Sequence, residues 1–177
     1  MSIRRLHWGC GSITPEGWIN SDIEAGPGVD LCCDILDGVP LEDSSIDYIS
    51  SQHALQNLKI YDQVQALKEL RRVLKPGGVL RVSLPDLDLA IDAYRSQKRQ
   101  YFVVYDWKTI SGNFITQALW YNYTQTLFTY QFAEELMYKA GFRHVHRLTY
   151  RVTASQYPEI IELDSREERS FYAEAFK

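Results

Sequence analysis

The segment Leu6-His7-Trp8-Gly9-Cys10-Gly11, with Asp22 eleven positions after Gly11, constrains this chain more than any other feature. Residues that suit a short strand run into a Gly-x-Gly turn, and a second apolar run, Trp18-Ile19-Asn20, leads to the acid. Glycines let a backbone turn tightly and approach a ligand closely. An acid after the next strand can accept from both hydroxyls of a ribose. Together these are the outline of a nucleoside-binding half-site.

The interval between glycines and acid narrows the ligand. A dinucleotide-binding unit separates them by about 20 residues and fills the gap with a helix. Here Gly11 is followed by Ser12-Ile13-Thr14-Pro15-Glu16-Gly17, with Pro and Gly and no room for three helical turns. An irregular loop or a single turn is expected. Without a helix N-terminus a pyrophosphate loses its positive anchor. S-adenosylmethionine (SAM) has no phosphate and carries a positive sulfonium, so the short crossover favours it over NAD or FAD. A nicotinamide oxidoreductase, which Gly-x-Gly plus an acid would also allow, is disfavoured on the same ground.

A chain of 177 residues fits one domain and can bury a core without staples. Its formal charge of −4 gives no electrostatic support for nucleic-acid binding. Arg71-Arg72 and Lys98-Arg99 read as solvated helix faces. Cys10, Cys32 and Cys33 have no zinc spacing and read as reduced thiols. His144 and His146 alternate along a strand with no nearby partner, so no metal is expected. No apolar run approaches the length of a membrane span, and Met1–Gly11 lacks the apolar core of a leader. The expectation is a cytoplasmic protein, monomer or homodimer, with neither a nucleic-acid nor a membrane partner.

Along the chain, strands are expected at Arg4–Trp8, Trp18–Asp22, Val29–Asp34 and Ile46–Ser50. Val64, Leu67, Leu70, Val73 and Leu74 recur at helical spacing within Asp62–Leu74, and Lys75-Pro76-Gly77-Gly78 stops that helix. A fifth strand spans Val79–Leu84, and a helix begins at Leu87. Residues 94–130 are rich in aromatics and poor in periodicity, with helical pieces expected at Ser96–Tyr105 and Phe114–Asn122. A helix at Gln131–Ala140 precedes strands at Phe142–Tyr150 and Phe171–Phe176, separated by the polar stretch Ser155–Glu168. Such alternation implies an α/β three-layer fold with a mostly parallel sheet. The last two strands follow one another without a helix, so one runs antiparallel.

The Gly-x-Gly turn, the Gly17-Trp18-Ile19-Asn20-Ser21-Asp22 element, Asp34, Ser45-Ile46-Asp47-Tyr48-Ile49 and Leu70-Arg71-Arg72-Val73-Leu74-Lys75-Pro76-Gly77-Gly78 together resemble the class I SAM-dependent methyltransferases. In particular they resemble the small type 11-like group with a Gly-Trp-Ile-Asn-x-Asp element. The resemblance spans nearly the whole chain. It implies a Rossmann-like, seven-stranded sheet with strand seven antiparallel between strands five and six, and SAM lying across the strand C-termini. By matching position, Gly9, Cys10 and Gly11 would approach the cofactor with their backbone, and Asp22 would accept from its ribose. Asp34 and Ile35 would meet the adenine, and Ser51 and Gln52 would line the methionyl end.

Two positions depart from the family pattern. His7 stands where an acid or Asn is usual, and is expected neutral if SAM binds. Gln56-Asn57 replaces a frequent Glu-His pair. His53 and then Asp86 are the candidate catalytic bases, each following a strand that opens onto the ligand crevice. A helix-start role for His53 and an ordinary turn role for Asp86 remain open. The acceptor is expected to be a small molecule or glycan-linked group, with the aromatic insert setting specificity or serving as a lid or dimer surface. The alternative is a catalytically inactive SAM-binding module whose insert binds a partner.

Overall fold

The computed structural model describes residues 3–177; Met1 and Ser2, the start of the stretch read for a leader, lie outside it. Seven strands are formed: β1 (Arg5–Trp8), β2 (Ile19–Asp22), β3 (Leu31–Cys32), β4 (Ile46–Gln52), β5 (Leu74–Pro85), β6 (Val145–Leu148) and β7 (Ser170–Phe176). They make one sheet in the order β3-β2-β1-β4-β5-β7-β6. β1 to β5 pair in parallel, and β7 runs antiparallel to both of its neighbours, β5 and β6. The topology implied by the resemblance is the one observed.

The helices are α1 (Gln63–Val73), α2 (Leu87–Arg95), α3 (Ile110–Leu119) and α4 (Tyr130–Lys139). On α1 the helical spacing buries Ala66, Leu67, Leu70 and Val73 against the sheet, worth roughly 1.5–3 kcal/mol for each large side chain. α1 ends at Val73, where Leu74 is already extended. The Lys-Pro-Gly-Gly run therefore does not cap the helix directly. The register against β4 jumps from Ile46↔Leu74 to Tyr48↔Val79, and residues 75–78 bulge out between them. Gly77 has φ +77°, and a Cβ on Gly78 would sit 2.9 Å from the Asp47 carbonyl oxygen.

Alternation along the central strands builds two unequal layers. Leu80, Val82 and Leu84 of β5 pack with α1 and α4 in the main core. On the opposite face, Trp18, Tyr48 and Val79 meet Ile160, Tyr157, Ile161 and Leu163. That layer contains no helix from the β1–β2 or β2–β3 crossovers. The segment after β6, with a 3-10 turn at Pro158–Ile161, covers it instead. The polar look of 155–168 concealed this packing role.

Other boundaries differ from the sequence reading for local reasons. β3 is two residues long because Asp30 leaves the ladder. Its amide donates to the Asn20 carbonyl and its carboxylate accepts from the Asn20 amide at 2.8 Å. The helix expected at Ser96–Tyr105 shrinks to a 3-10 turn at Arg99–Tyr101. α3 begins earlier than expected, where Thr109 Oγ1 accepts from the Gly112 amide. Among the described residues no helix is long and apolar enough to cross a membrane, and no His/Cys/Asp/Glu group is arranged for a metal. The three cysteines are free thiols.

Candidate active site

The loop after β1 is irregular, as the short crossover requires. The Gly9 and Cys10 amides both donate to the Ser21 carbonyl, at 2.8 and 3.1 Å, which folds the loop against the end of β2. The Gly11 amide donates to Asp22 Oδ2 at 2.7 Å, and the Glu24 amide to Asp22 Oδ1 at 3.1 Å. Each carboxylate oxygen keeps a further lone pair. The Cys33 amide donates to the Asp22 carbonyl, bringing Asp34 and Ile35 beside the same edge. Asp34 Oδ1 accepts from the Leu36 amide at 2.9 Å, and Ile35 is buried. Gly9 (φ +69°) lies so near Ala54 that a Cβ would approach Ala54 Cβ to 2.2 Å, whereas Gly11 (φ +53°) faces open space.

These residues form a cradle with polar atoms still to satisfy. Among the described residues, Gln52 Oε1 and Ser51 Oγ at the end of β4, Ser83 Oγ on β5 and His7 Nδ1 on β1 are buried without a partner. Buried polar atoms are nearly always paired in native proteins. His7 is buried edge-on to Trp18, and burial pushes its pKa down to about 4 against the pull of the Asp22 carboxylate. It is neutral at physiological pH. Burial raises the Cys10 thiol pKa, aided by Asp22, so Cys10 is not an activated nucleophile. Gly9–Gly11, Asp22, Asp34 and Ile35 are thus gathered at one sheet edge, with Ser51 and Gln52 one strand away.

Beyond the end of β4 and β5 lies a cavity of about 410 Å³. Its floor comes from His53, Gln56, Asn57, Pro85 and Asp86. Its walls come from Leu87 and Ala90 of α2, Tyr101, and Phe114, Gln117 and Ala118 of α3. Trp120, Tyr123, Thr124, Thr126, Leu127 and Phe128 form the roof, and Arg166 and Arg169 line the cavity from the segment before β7. Both candidate bases therefore line one cavity, together with the aromatic insert. The roof is tied to the floor by the Gln125 and Thr126 amides, which donate to the Gln56 carbonyl at 2.8 and 3.1 Å.

Neither candidate base is free. His53 Nε2 is 2.8 Å from Ser170 Oγ, and its Nδ1 is 3.2 Å from the Arg166 guanidinium. A neutral ring that donates from Nε2 and accepts at Nδ1 satisfies both contacts. Burial, then the Arg166 charge, lower its pKa to about 3. Asp86 Oδ1 caps α2 by accepting from the Asp88 and Leu89 amides, and its Oδ2 pairs with Arg147 at 3.2 Å. Burial raises its pKa while those donors and Arg147 oppose the rise.

Arg166 and Arg169 were not singled out by the sequence, and no local pattern marks them. Their placement comes from beneath. Arg81 of β5 is fully buried, with Nε and Nη2 on the two oxygens of Asp164 at 2.7 and 2.5 Å and Nη1 on Glu174 at 2.8 Å. Asp164 also accepts from the Arg151 amide, and Glu174 from Thr153 and Ala154. This network pins both ends of the 151–164 loop, two residues before Arg166. Arg169 is held by its Nε on the Tyr101 carbonyl, at 2.8 Å, with its guanidinium over the Tyr101 ring.

A seven-stranded sheet of this order, with β7 antiparallel and a glycine loop facing an acid across β1 and β2, defines the class I methyltransferase fold. Residues 18–82 match the family model described as a methyltransferase domain, which indicates SAM as the cofactor. The chain superposes on a SAM-dependent methyltransferase from Thermotoga maritima with a TM-score of 0.62 and 20% identity, covering 100% of this chain and 83% of that one. It also superposes on phosphoethanolamine N-methyltransferase 2 of Haemonchus contortus in complex with SAM, with a TM-score of 0.58 and 14% identity, covering 100% and 49%. A demethylmenaquinone methyltransferase of Staphylococcus epidermidis is 42% identical over 59 residues, 32% of this chain and 24% of that protein. The curated relatives are matched over only 19–26% of their own length.

Proposed function

We propose that this chain transfers the methyl group of SAM to a small-molecule acceptor bound in the cavity under the aromatic insert. The observation that carries the reading is the adjacency of two sites on one sheet edge. The glycine loop and Asp22 end β1 and β2, and the cavity opens at the ends of β4 and β5 beside them. Open α/β sheets bind ligands at this edge.

The residues fit the cofactor. Asp22 has spare lone pairs for ribose hydroxyls, Gly11 leaves room for close approach, and Ile35 supplies an apolar surface beside Asp34 for a purine. The unpartnered Gln52 Oε1 and Ser51 Oγ suit the ammonium and carboxylate of the methionyl end. Neutral His7 adds no charge opposed to a sulfonium. When bound, the cofactor supplies an electrophilic methyl carbon that bonds to the acceptor's lone pair as the carbon–sulfur pair returns to sulfur. The protein aligns the acceptor, and Tyr101, Phe114 and Trp120 keep water away. His53 and Asp86 hold the cavity floor. With the acceptor atoms of both residues engaged, the acceptor must arrive as a competent nucleophile.

Those engagements also favour a second reading, in which the chain binds SAM but does not turn over. Calorimetry with SAM and S-adenosylhomocysteine on the wild type and on Asp22→Ala tests the cofactor site. Affinity lost by tenfold or more in the variant, roughly what one charged hydrogen bond supplies, supports it. Equal affinity in both, or none in a folded wild type, overturns it. Transfer of label from methyl-labelled SAM to acceptors then separates enzyme from binding module.

A further inference from the structure

We infer that the cavity takes an acceptor with a flat apolar body, a carboxylate held by Arg166, and an O–H or N–H group that donates to Gln56 Oε1. The ligand's role as methyl acceptor rests on the reading above; its chemical class rests on the cavity.

The charge of the lining points to an anion. Arg166 reaches the cavity wall at His53 and, among the described residues, makes no ion pair with a carboxylate. Asp86 is the carboxylate in the lining, and Arg147 together with the α2 N-terminal amides already engages it. His53 contributes no charge. The planar guanidinium fork matches a carboxylate in bidentate geometry. Arg169, the other guanidinium of the lining, is engaged by the Tyr101 carbonyl and lies 3.9 Å from a Glu168 carboxylate oxygen.

Gln56 supplies the second polar contact. The residue is 7% exposed and lines the cavity, its Nε2 donates to the His53 carbonyl at 2.5 Å, and its Oε1 is buried with no partner among the described residues. Because the His53 carbonyl can only accept, the amide orientation is fixed, and the orphan is an acceptor that needs a donor. The remaining lining is aromatic and aliphatic, and the volume lies within the roughly 300–1,000 Å³ of small-ligand sites.

The test is calorimetry on the full chain with saturating S-adenosylhomocysteine. The probes are 4-hydroxybenzoate, 4-hydroxybenzamide and benzoate, with indole-3-acetate and indole-3-acetamide as a second acid–amide pair. The acids are expected to bind about tenfold tighter than their amides, a preference that falls below about threefold in Arg166→Gln and persists in the exposed, distant Arg143→Gln. The 4-hydroxyl is expected to improve on benzoate. Amides equal to acids, no binding of either, or a preference that survives Arg166→Gln overturns the assignment to Arg166; benzoate equal to 4-hydroxybenzoate overturns the assignment to Gln56. Failure of these probes with S-adenosylhomocysteine still bound leaves the methyltransferase reading standing. Acid preference without S-adenosylhomocysteine binding removes that reading and keeps the anion site.

Discussion

Arg166 Nη1 lies 3.2 Å from His53 Nδ1, and both residues hold left-handed backbone conformations, φ 60° and 53°. Each such turn costs a non-glycine residue roughly 1–2 kcal/mol. The opposed pair persists because other contacts determine it: the His53 amide donates to the Ser83 carbonyl at 2.9 Å, and its ring meets Ser170. The arrangement keeps the imidazole neutral. Nuclear magnetic resonance of the histidine ring protons should therefore show His7 and His53 unchanged from pH 8 to 5.5. A midpoint for His53 near 6.5 would return it to the role of general base.

Both buried histidines make the fold sensitive to acid. Their folded pKa values, about 4 for His7 and about 3 for His53, lie below the ordinary 6.5. Between those limits the unfolded chain binds more protons, so stability is full above pH 6.5 and falls as pH drops. Two sites give at most about 2.7 kcal/mol per pH unit. Asp86, whose pKa burial raises, binds its proton early in the folded state and softens the fall. Asp47 and Glu69, whose pKa values are lowered by backbone donors and by Lys75 or Arg72, add to it only at lower pH. Urea midpoints should drop from pH 7 to pH 5, with a shallower drop in His53→Gln; an unchanged wild-type midpoint would contradict the account.

The two glycines of the loop should respond differently to alanine. At Gly9 the methyl would collide with Ala54 at 2.2 Å, so Gly9→Ala should destabilise by about 2–4 kcal/mol from backbone strain and overpacking together. At Gly11 the methyl enters open space, leaving only strain of roughly 1–2 kcal/mol. Gly11→Ala should therefore fold nearly as well as wild type yet bind S-adenosylhomocysteine more weakly. Paired urea unfolding and calorimetry distinguish the cases, and unaltered affinity in Gly11→Ala would place the cofactor elsewhere.

Asp164→Asn keeps shape but leaves Arg81 half-paired in a fully buried site. Breaking such a pair costs about 3–5 kcal/mol. Affinity for S-adenosylhomocysteine should survive in the fraction that folds, because the glycine loop and Asp22 share no contact with Asp164. A loss under about 1 kcal/mol in urea unfolding would mean that Glu174 alone satisfies the guanidinium.

The helical stripe of α1 and the irregular β1–β2 loop were legible, because each depends on residues close in sequence; the strand order came from the resemblance, and the Lys75-Pro76-Gly77-Gly78 run, read as a helix stop, forms a bulge in β5 instead. The short β3 was not legible, because Asp30 spends both its amide and its carboxylate on Asn20, ten residues back. The covering layer and Arg166 were missed for the same reason at longer range. Asp164 is meaningful only once β5 places Arg81 beneath it. One clue was present: Arg81 and Glu174 interrupt otherwise apolar strands, and the antiparallel register sets them opposite each other. A charge inside each of two neighbouring strands signals a buried partner even when the third member cannot be named.

The Arg81 anchor divides the cavity into parts that can change independently. Arg166 follows a loop keyed through the sheet to strand residues, whereas the roof of residues 120–128 is tied to the floor chiefly through backbone groups of Gln56 and its neighbours. Side chains in the roof can vary without disturbing that backbone seam. The shape of the roof and the charge contributed by the segment before β7 are thus separable traits of this fold.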